Sequence, residues 1–107
     1  MAKYLLIESR NPWESGDVAY LYGLARDRAG SGNEVTLFLV QNGVMPVRKG
    51  AKDSGLAELT GKLTILADGF SLRERAIGPE ALIAGVTVSD VDAVVDLLAS
   101  GAKAIWH

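Results

Sequence analysis

The sequence contains no cysteine. That one absence excludes disulfides, thiol nucleophiles and thiolate metal sites together. Histidine occurs once, as His107, which leaves no basis for a His-based metal centre. No metal and no cofactor are therefore expected. Lys and Arg number 11 against 13 Asp and Glu, a formal charge of −2. Phosphate backbones are held by clustered cations, so no nucleic-acid partner is expected. No apolar run is long enough to span a bilayer, and no membrane role is expected. The opening Met-Ala-Lys-Tyr-Leu-Leu-Ile-Glu has too short an apolar stretch for a secretory leader and reads as a strand. A cytoplasmic protein is the expectation. No internal repeat or low-complexity tract interrupts the chain.

What is present suits a folded α/β chain. Apolar residues make up 49% and charged residues 22% of 107 positions, enough for one domain over 1–107 with its own core. Lys3 to Glu8 is the first strand, with Tyr4 to Ile7 buried. Ser9 to Gly16 is a loop marked by Asn-Pro and Ser-Gly, long for a strand-to-helix connection. Asn11 and Trp13 on it are candidates for ligand contact. The alternative is that Trp13 covers core or a subunit contact. Asp17 to Gly30 has Val18, Leu21, Tyr22, Ala25 and Ala29 at the spacing of one helical face, with Ser15 or Asp17 as cap. Arg26 and Arg28 form a solvated helix end that complements the helix dipole. Glu34 to Val40 is a second, almost wholly apolar strand, closed by Gln41-Asn42-Gly43 and followed by a loop or one helical turn.

Arg48, Lys49 and Lys52 then form a small basic patch, either a solvated loop or an anion-attracting surface. Asp53 to Gly61 reads as a helix capped by Asp53 or Ser54. Leu63 to Ala67 is a third strand, apolar enough to be covered on both faces. It breaks at Asp68-Gly69, where glycine's backbone freedom permits a sharp turn. Leu72 to Ile77 is a short helix stopped by Gly78-Pro79, and Glu80 to Ala84 adds a further turn. Gly85 to Val88 is a short extended segment. The last helix is capped by Ser89 with Asp92 three residues on, and carries Val91, Val94, Val95 and Leu98 on its inward face. Ala102 to Trp106 is the final strand.

This alternation predicts a three-layer α/β/α fold with a mainly parallel sheet of roughly five strands. Ligands of such sheets bind outside the carboxyl ends of the strands. The candidate ligand-binding residues are accordingly Asp68, Gly69, Ser71 and Arg75, with Asn11, Trp13, Asn42 and Gly43 from neighbouring strand ends. Asp68 can equally serve as a helix cap. Arg75 presents a planar fork for a carboxylate or phosphate, or pairs internally with Glu74, Asp68 or a neighbouring subunit.

The stretch Asp68-Gly69-Phe70-Ser71-Leu72-Arg73-Glu74-Arg75-Ala76-Ile77 resembles the DsrE/DsrF-like (YchN-like) sulfur-relay family, whose turn after the third strand reads Cys-Gly-x-Cys/Ser-x-x-x-Arg-Gly-hydrophobic. Gly69, Leu72, Arg75 and Ile77 fit that pattern. Asp68 stands at the first cysteine and Ser71 at the second. The resemblance implies a YchN-like or flavodoxin-like sheet beginning 2-1-3, with the 9–16 and 68–71 loops facing across one crevice. It also implies a homo-oligomer, trimer or hexamer, or a hetero-oligomer with related subunits. Neither Asp nor Ser can carry sulfane sulfur as a thiolate does. The expectation is therefore a binding or accessory subunit related to intracellular sulfur transfer, with no catalytic residue. Two alternatives stand beside it. One is a small-molecule enzyme using Asp68 as acid or base with Ser71 and Arg75. The other is a purely structural oligomer subunit in which Trp13, Phe70 and Trp106 make contacts.

Overall fold

Strand β1 (Lys3–Glu8) is inaccessible from Leu5 to Glu8 because it lies inside the sheet with a neighbour on each side. The computed structural model describes residues 1–107. Its remaining strands are β2 (Glu34–Leu39), β3 (Thr64–Asp68), β4 (Val86–Ser89) and β5 (Lys103–Trp106). All pairings are parallel and the order is β4-β3-β2-β1-β5. The helices are α1 (Asp17–Gly30), α2 (Gly69–Glu74) and α3 (Val91–Ala99), with 3-10 turns at Gln41–Val47, Leu56–Leu59 and Pro79–Ala81. No helix is long and apolar enough to cross a membrane.

The layered α/β class and the five-stranded parallel sheet agree with expectation; the 2-1-3 start does not. β2 stands between β1 and β3. The physical reason is that the chain steps sideways in one direction from β1 to β4, and right-handed crossovers then place the intervening segments on a single face. It returns over the other face through α3 to set β5 beside β1. The two faces are covered unequally as a result. Leu6, Leu37, Leu39 and Ile65 pack with Val18, Leu21, Tyr22 and Ala25 of α1 into the main core of 16 residues. On the other face Leu5, Ile7 and Phe38 form a core of three buried residues, covered in part by Val94 and Leu97 of α3.

Several local expectations are corrected. The segment 53–61 is one 3-10 turn rather than a helix, because Asp53 and Gly55 both take left-handed backbone angles, φ 57° and 80°, which a helix start excludes. Neither Asp53 nor Ser54 is its cap: the N-cap is Gly55, with no side-chain cap, although Ser54 Oγ accepts from Leu56 N at 3.1 Å. The N-cap of α1 is Gly16, with no side-chain cap from Ser15 or Asp17. Helix α2 begins at Gly69, three residues before the expected Leu72, because Asp68 caps it directly at the end of β3. Gly69 has no positive φ. Its lack of a Cβ serves close packing instead, since a methyl there would lie 3.2 Å from Arg73 Nη1 and 3.4 Å from Ser89 O. Asp90, not Ser89, caps α3, because Ser89 belongs to β4 and pairs with Asp68. Val91, Val95 and Leu98 of α3 were expected to face inward and are exposed. The rotation that seats Val94 and Leu97 on the sheet turns them outward.

Candidate functional site

The site is built where three strand ends meet. Asp68, at the end of β3, is 8% exposed. Its Oδ2 accepts from Ser71 N (3.0 Å) and Ser71 Oγ (2.7 Å), which closes the first turn of α2. Ser71 Oγ in turn accepts from Gln41 N at 2.8 Å. Gln41 holds φ 54°, an uncommon angle for a residue with a side chain, and this hydrogen bond helps to hold it there. One turn along α2, Arg75 directs Nε and Nη2 at Asn42 Oδ1 (3.1 and 2.9 Å) and Nη1 at Ser71 O (3.2 Å). The exit of β2 is thus fastened to α2 at both ends of the helix. The packing that permits this is at Gly43, where a Cβ would stand 2.1 Å from Glu8 O. Only glycine lets the 41–43 turn lie this close to the end of β1.

These contacts enclose a cleft of about 390 Å³, lined by Ser9, Val40, Gln41, Asn42, Asp68, Phe70, Ser71, Glu74 and Arg75. A second hollow of about 420 Å³ lies on the other side of the Asp68–Phe70 turn, against Arg73 and Val88 to Val91. Phe70, 62% exposed, stands as the partition between them.

Of the residues singled out from sequence, Asp68, Ser71, Arg75 and Asn42 converge on the first cleft. Gly69 lines the second. Gly43 is buried beneath the cleft and touches β1. Asn11 and Trp13 line neither cleft. Asn11 Oδ1 accepts from the backbone N–H of Trp13 and Glu14, both at 2.9 Å, and so shapes its own loop. Trp13 Nε1 donates to Lys52 O at 3.2 Å and fastens that loop to the 50s segment. With β2 interposed between β1 and β3, only Ser9 of the 9–16 loop reaches the cleft. The basic patch is also elsewhere: Arg48 Nε donates to Met45 O (2.7 Å), and neither Lys49 nor Lys52 lines a cleft. Sequence reasoning missed Ser9, Val40, Gln41 and Glu74 as lining residues, and Phe70, which it offers only as a subunit contact. Glu74 was accessible to it, being three residues from Ser71 on the same helical face.

A second missed feature lies beneath Ser9. Glu8 is fully buried, and its carboxylate accepts from His107 Nδ1 (2.8 and 2.9 Å) and from Arg10 N (3.1 Å). His107 O accepts from Ser9 N (2.9 Å) and Ser9 Oγ (2.8 Å). The other ring nitrogen of His107 lies 3.8 Å from the exposed Asp17. Tyr22 has a buried hydroxyl without a hydrogen-bond partner. Burial first, and then the negative charge of Glu8, push its pKa well above the ordinary tyrosine value. No three His, Asp or Glu side chains gather as a metal site.

With this geometry in hand, the solved structures are informative. The chain superposes on the ychN protein of E. coli with a TM-score of 0.89 and 21% identity, each chain covered completely. The fold is YchN-like. MTH1491 of Methanobacterium thermoautotrophicum, a protein of unknown function, gives a TM-score of 0.86 at 21% identity, again over the whole of both chains. BT1422 of Bacteroides thetaiotaomicron, a conserved protein of unknown function, gives 0.71 at 18% identity, over 98% of this chain and 94% of that one. No family model and no curated protein sequence matches the chain. At these identities the YchN-like likeness concerns the fold.

Proposed function

We propose that this YchN-like chain is a binding or accessory subunit related to intracellular sulfur transfer, working in the cytoplasm without carrying sulfur itself. One observation carries the reading. Residue 68 opens a cleft directly ahead of a helix, the seat in which the resembled family places a reactive cysteine, and it is filled by a carboxylate hydrogen-bonded to Ser71. A carboxylate there occupies the cap and offers no sulfur nucleophile. The fold keeps the cleft, so binding remains its use. The acid–base alternative has little support, since the one histidine is engaged with Glu8 and not with Asp68. Incubation with a persulfide donor followed by intact mass measurement is expected to show no gain of sulfur. A stable added sulfur atom would overturn the reading.

The same reading includes self-association, as a trimer or hexamer or with related subunits. What supports it is the thinly covered face of the sheet. Val91, Val95 and Leu98 form an exposed stripe on α3 at i, i+4, i+7 spacing, and Trp106 of the edge strand β5, in register with Ile7, is exposed on the same face of the sheet. An apolar stripe of this kind on an otherwise short, well-capped helix suits the contact face of another copy. Sedimentation at micromolar concentration is expected to show an assembly larger than a monomer. Val95→Asp, which places a charge in the middle of the stripe, should return it to the monomer. A wild-type monomer would remove this part of the proposal.

A further inference from the structure

Asp68 and Arg75 carry opposite charges, line the same cleft, and are not paired with each other or with any other charge. No Lys or Arg side chain in this molecule is paired with an Asp or Glu; the carboxylate contacts of this kind are those of His107 with Glu8 and Asp17. Each of the two groups is held instead by neutral partners. Asp68 receives both of its hydrogen bonds, from Ser71 N and Oγ, on Oδ2, and Oδ1 has none. Arg75 has five N–H donors. Three are directed at uncharged oxygens, those of Asn42 and Ser71, and two are left over. Ser71 separates the charges, with its N–H and hydroxyl turned to one and its carbonyl to the other. Two opposite charges fixed apart at the wall of an open cleft form a preorganised dipole, and a ligand of the reverse dipole completes it.

Resting on the reading of this cleft as a binding site, we propose that it takes a small zwitterion, a free amino acid with an apolar side chain. The ammonium group meets Asp68 Oδ1. The carboxylate meets the two remaining N–H donors of Arg75, a charge-assisted contact of the kind that guanidinium forms well. The side chain lies against Val40 and Phe70, whose ring is largely exposed at the mouth. Glu74 adds a second negative charge to the lining, which disfavours a bare anion and leaves a ligand without an ammonium group poorly matched. A cleft of about 390 Å³ is of the size that small molecules occupy.

The test uses L-leucine and its two halves, 3-methylbutylamine, which lacks the carboxylate, and 4-methylpentanoate, which lacks the ammonium group. Each is titrated into the full-length protein at low salt while the backbone amide resonances of Gln41, Asn42 and Ser71 are followed. Leucine is expected to shift them in a saturable way and to bind about tenfold more tightly than either half, one charge-assisted contact being worth roughly that factor. Asp68→Asn still caps α2 and should weaken leucine by about tenfold while abolishing its advantage over 4-methylpentanoate. Arg75→Gln should abolish its advantage over 3-methylbutylamine. Leucine binding no better than either half, or unaffected by both substitutions, overturns the assignment. Indole and benzamide separate the two levels of the argument. If only these shift the three amides, the cleft binds ligands but the zwitterion assignment falls. If none of the five compounds shifts them, the cleft reading falls as well.

Discussion

Replacing Gly43 by alanine should lower the free energy of unfolding by about 3 kcal/mol, the upper end of the usual cost of forcing an extra methyl group into packed structure. The added Cβ would stand 2.1 Å from Glu8 O and 2.9 Å from Glu8 C. Both are backbone atoms, so no side chain can rotate away to relieve the overlap. Glu8 O also accepts from Val40 N at 3.0 Å, and Gly43 N donates to Val40 O at 2.9 Å. A shift large enough to admit the methyl group must therefore disturb the exit of β2, where Gln41 and Asn42 are fastened to Ser71 and Arg75. The substitution should weaken the cleft along with the fold. Gly30→Ala is the matched control. Gly30 is the last residue of α1, with no positive φ and nothing within 4 Å of the point where an added methyl group would stand, so alanine there should be neutral or slightly stabilising. Urea unfolding of the two variants checks the pair through a shift in midpoint at constant slope. Equal stability of the two would contradict the close approach of the 41–43 turn to β1.

The features that could be read from the sequence were those written in local patterns. The almost wholly apolar run from Val35 to Leu39 belongs to a strand covered on both faces, and the spacing of Val18, Leu21, Tyr22 and Ala25 marks the buried side of α1. Asp68 could be recognised as a cap because capping needs only a residue type and a position three residues ahead of Ser71. Features set by the whole topology were not legible. Periodicity identified the stripe at Val91, Val95 and Leu98, but a stripe does not say whether the same chain covers it. The order of strands depends on which way each crossover steps. Placing β3 beside β1 therefore brought Asn11 and Trp13 to a cleft that the real order, with β2 between, closes to all but Ser9 of their loop. The backbone angles of Asp53 and Gly55 stop a helix that composition alone would allow.

The pairing of Glu8 with His107 spans 99 positions of sequence and carries no local signal at all, yet its removal is expected to cost as much as a typical large-to-small core substitution. His107→Ala should destabilise the protein by about 3 kcal/mol, the upper end of the range for a hydrogen bond to a charged group, because Glu8 is fully buried and would be left short of a donor. Without the imidazole, the Glu8 carboxylate retains only Arg10 N as a donor. The Tyr22 hydroxyl has no hydrogen-bond partner and does not donate to Glu8, so it does not replace the lost imidazole. The cost arises mainly from that uncompensated charge, and this makes a sharper test available. In the double variant Glu8→Gln/His107→Ala the buried group is neutral, and the loss should be well below the sum of the two single losses. Additive losses, or a His107→Ala cost under about 1 kcal/mol, would show that the pair does not stabilise the fold in this way. Because His107 O also holds Ser9 N and Oγ, loosening the end of β5 should reach the wall of the cleft. The residue farthest along the chain from Ser9 thus helps to set the shape of the site that the 68–75 turn completes.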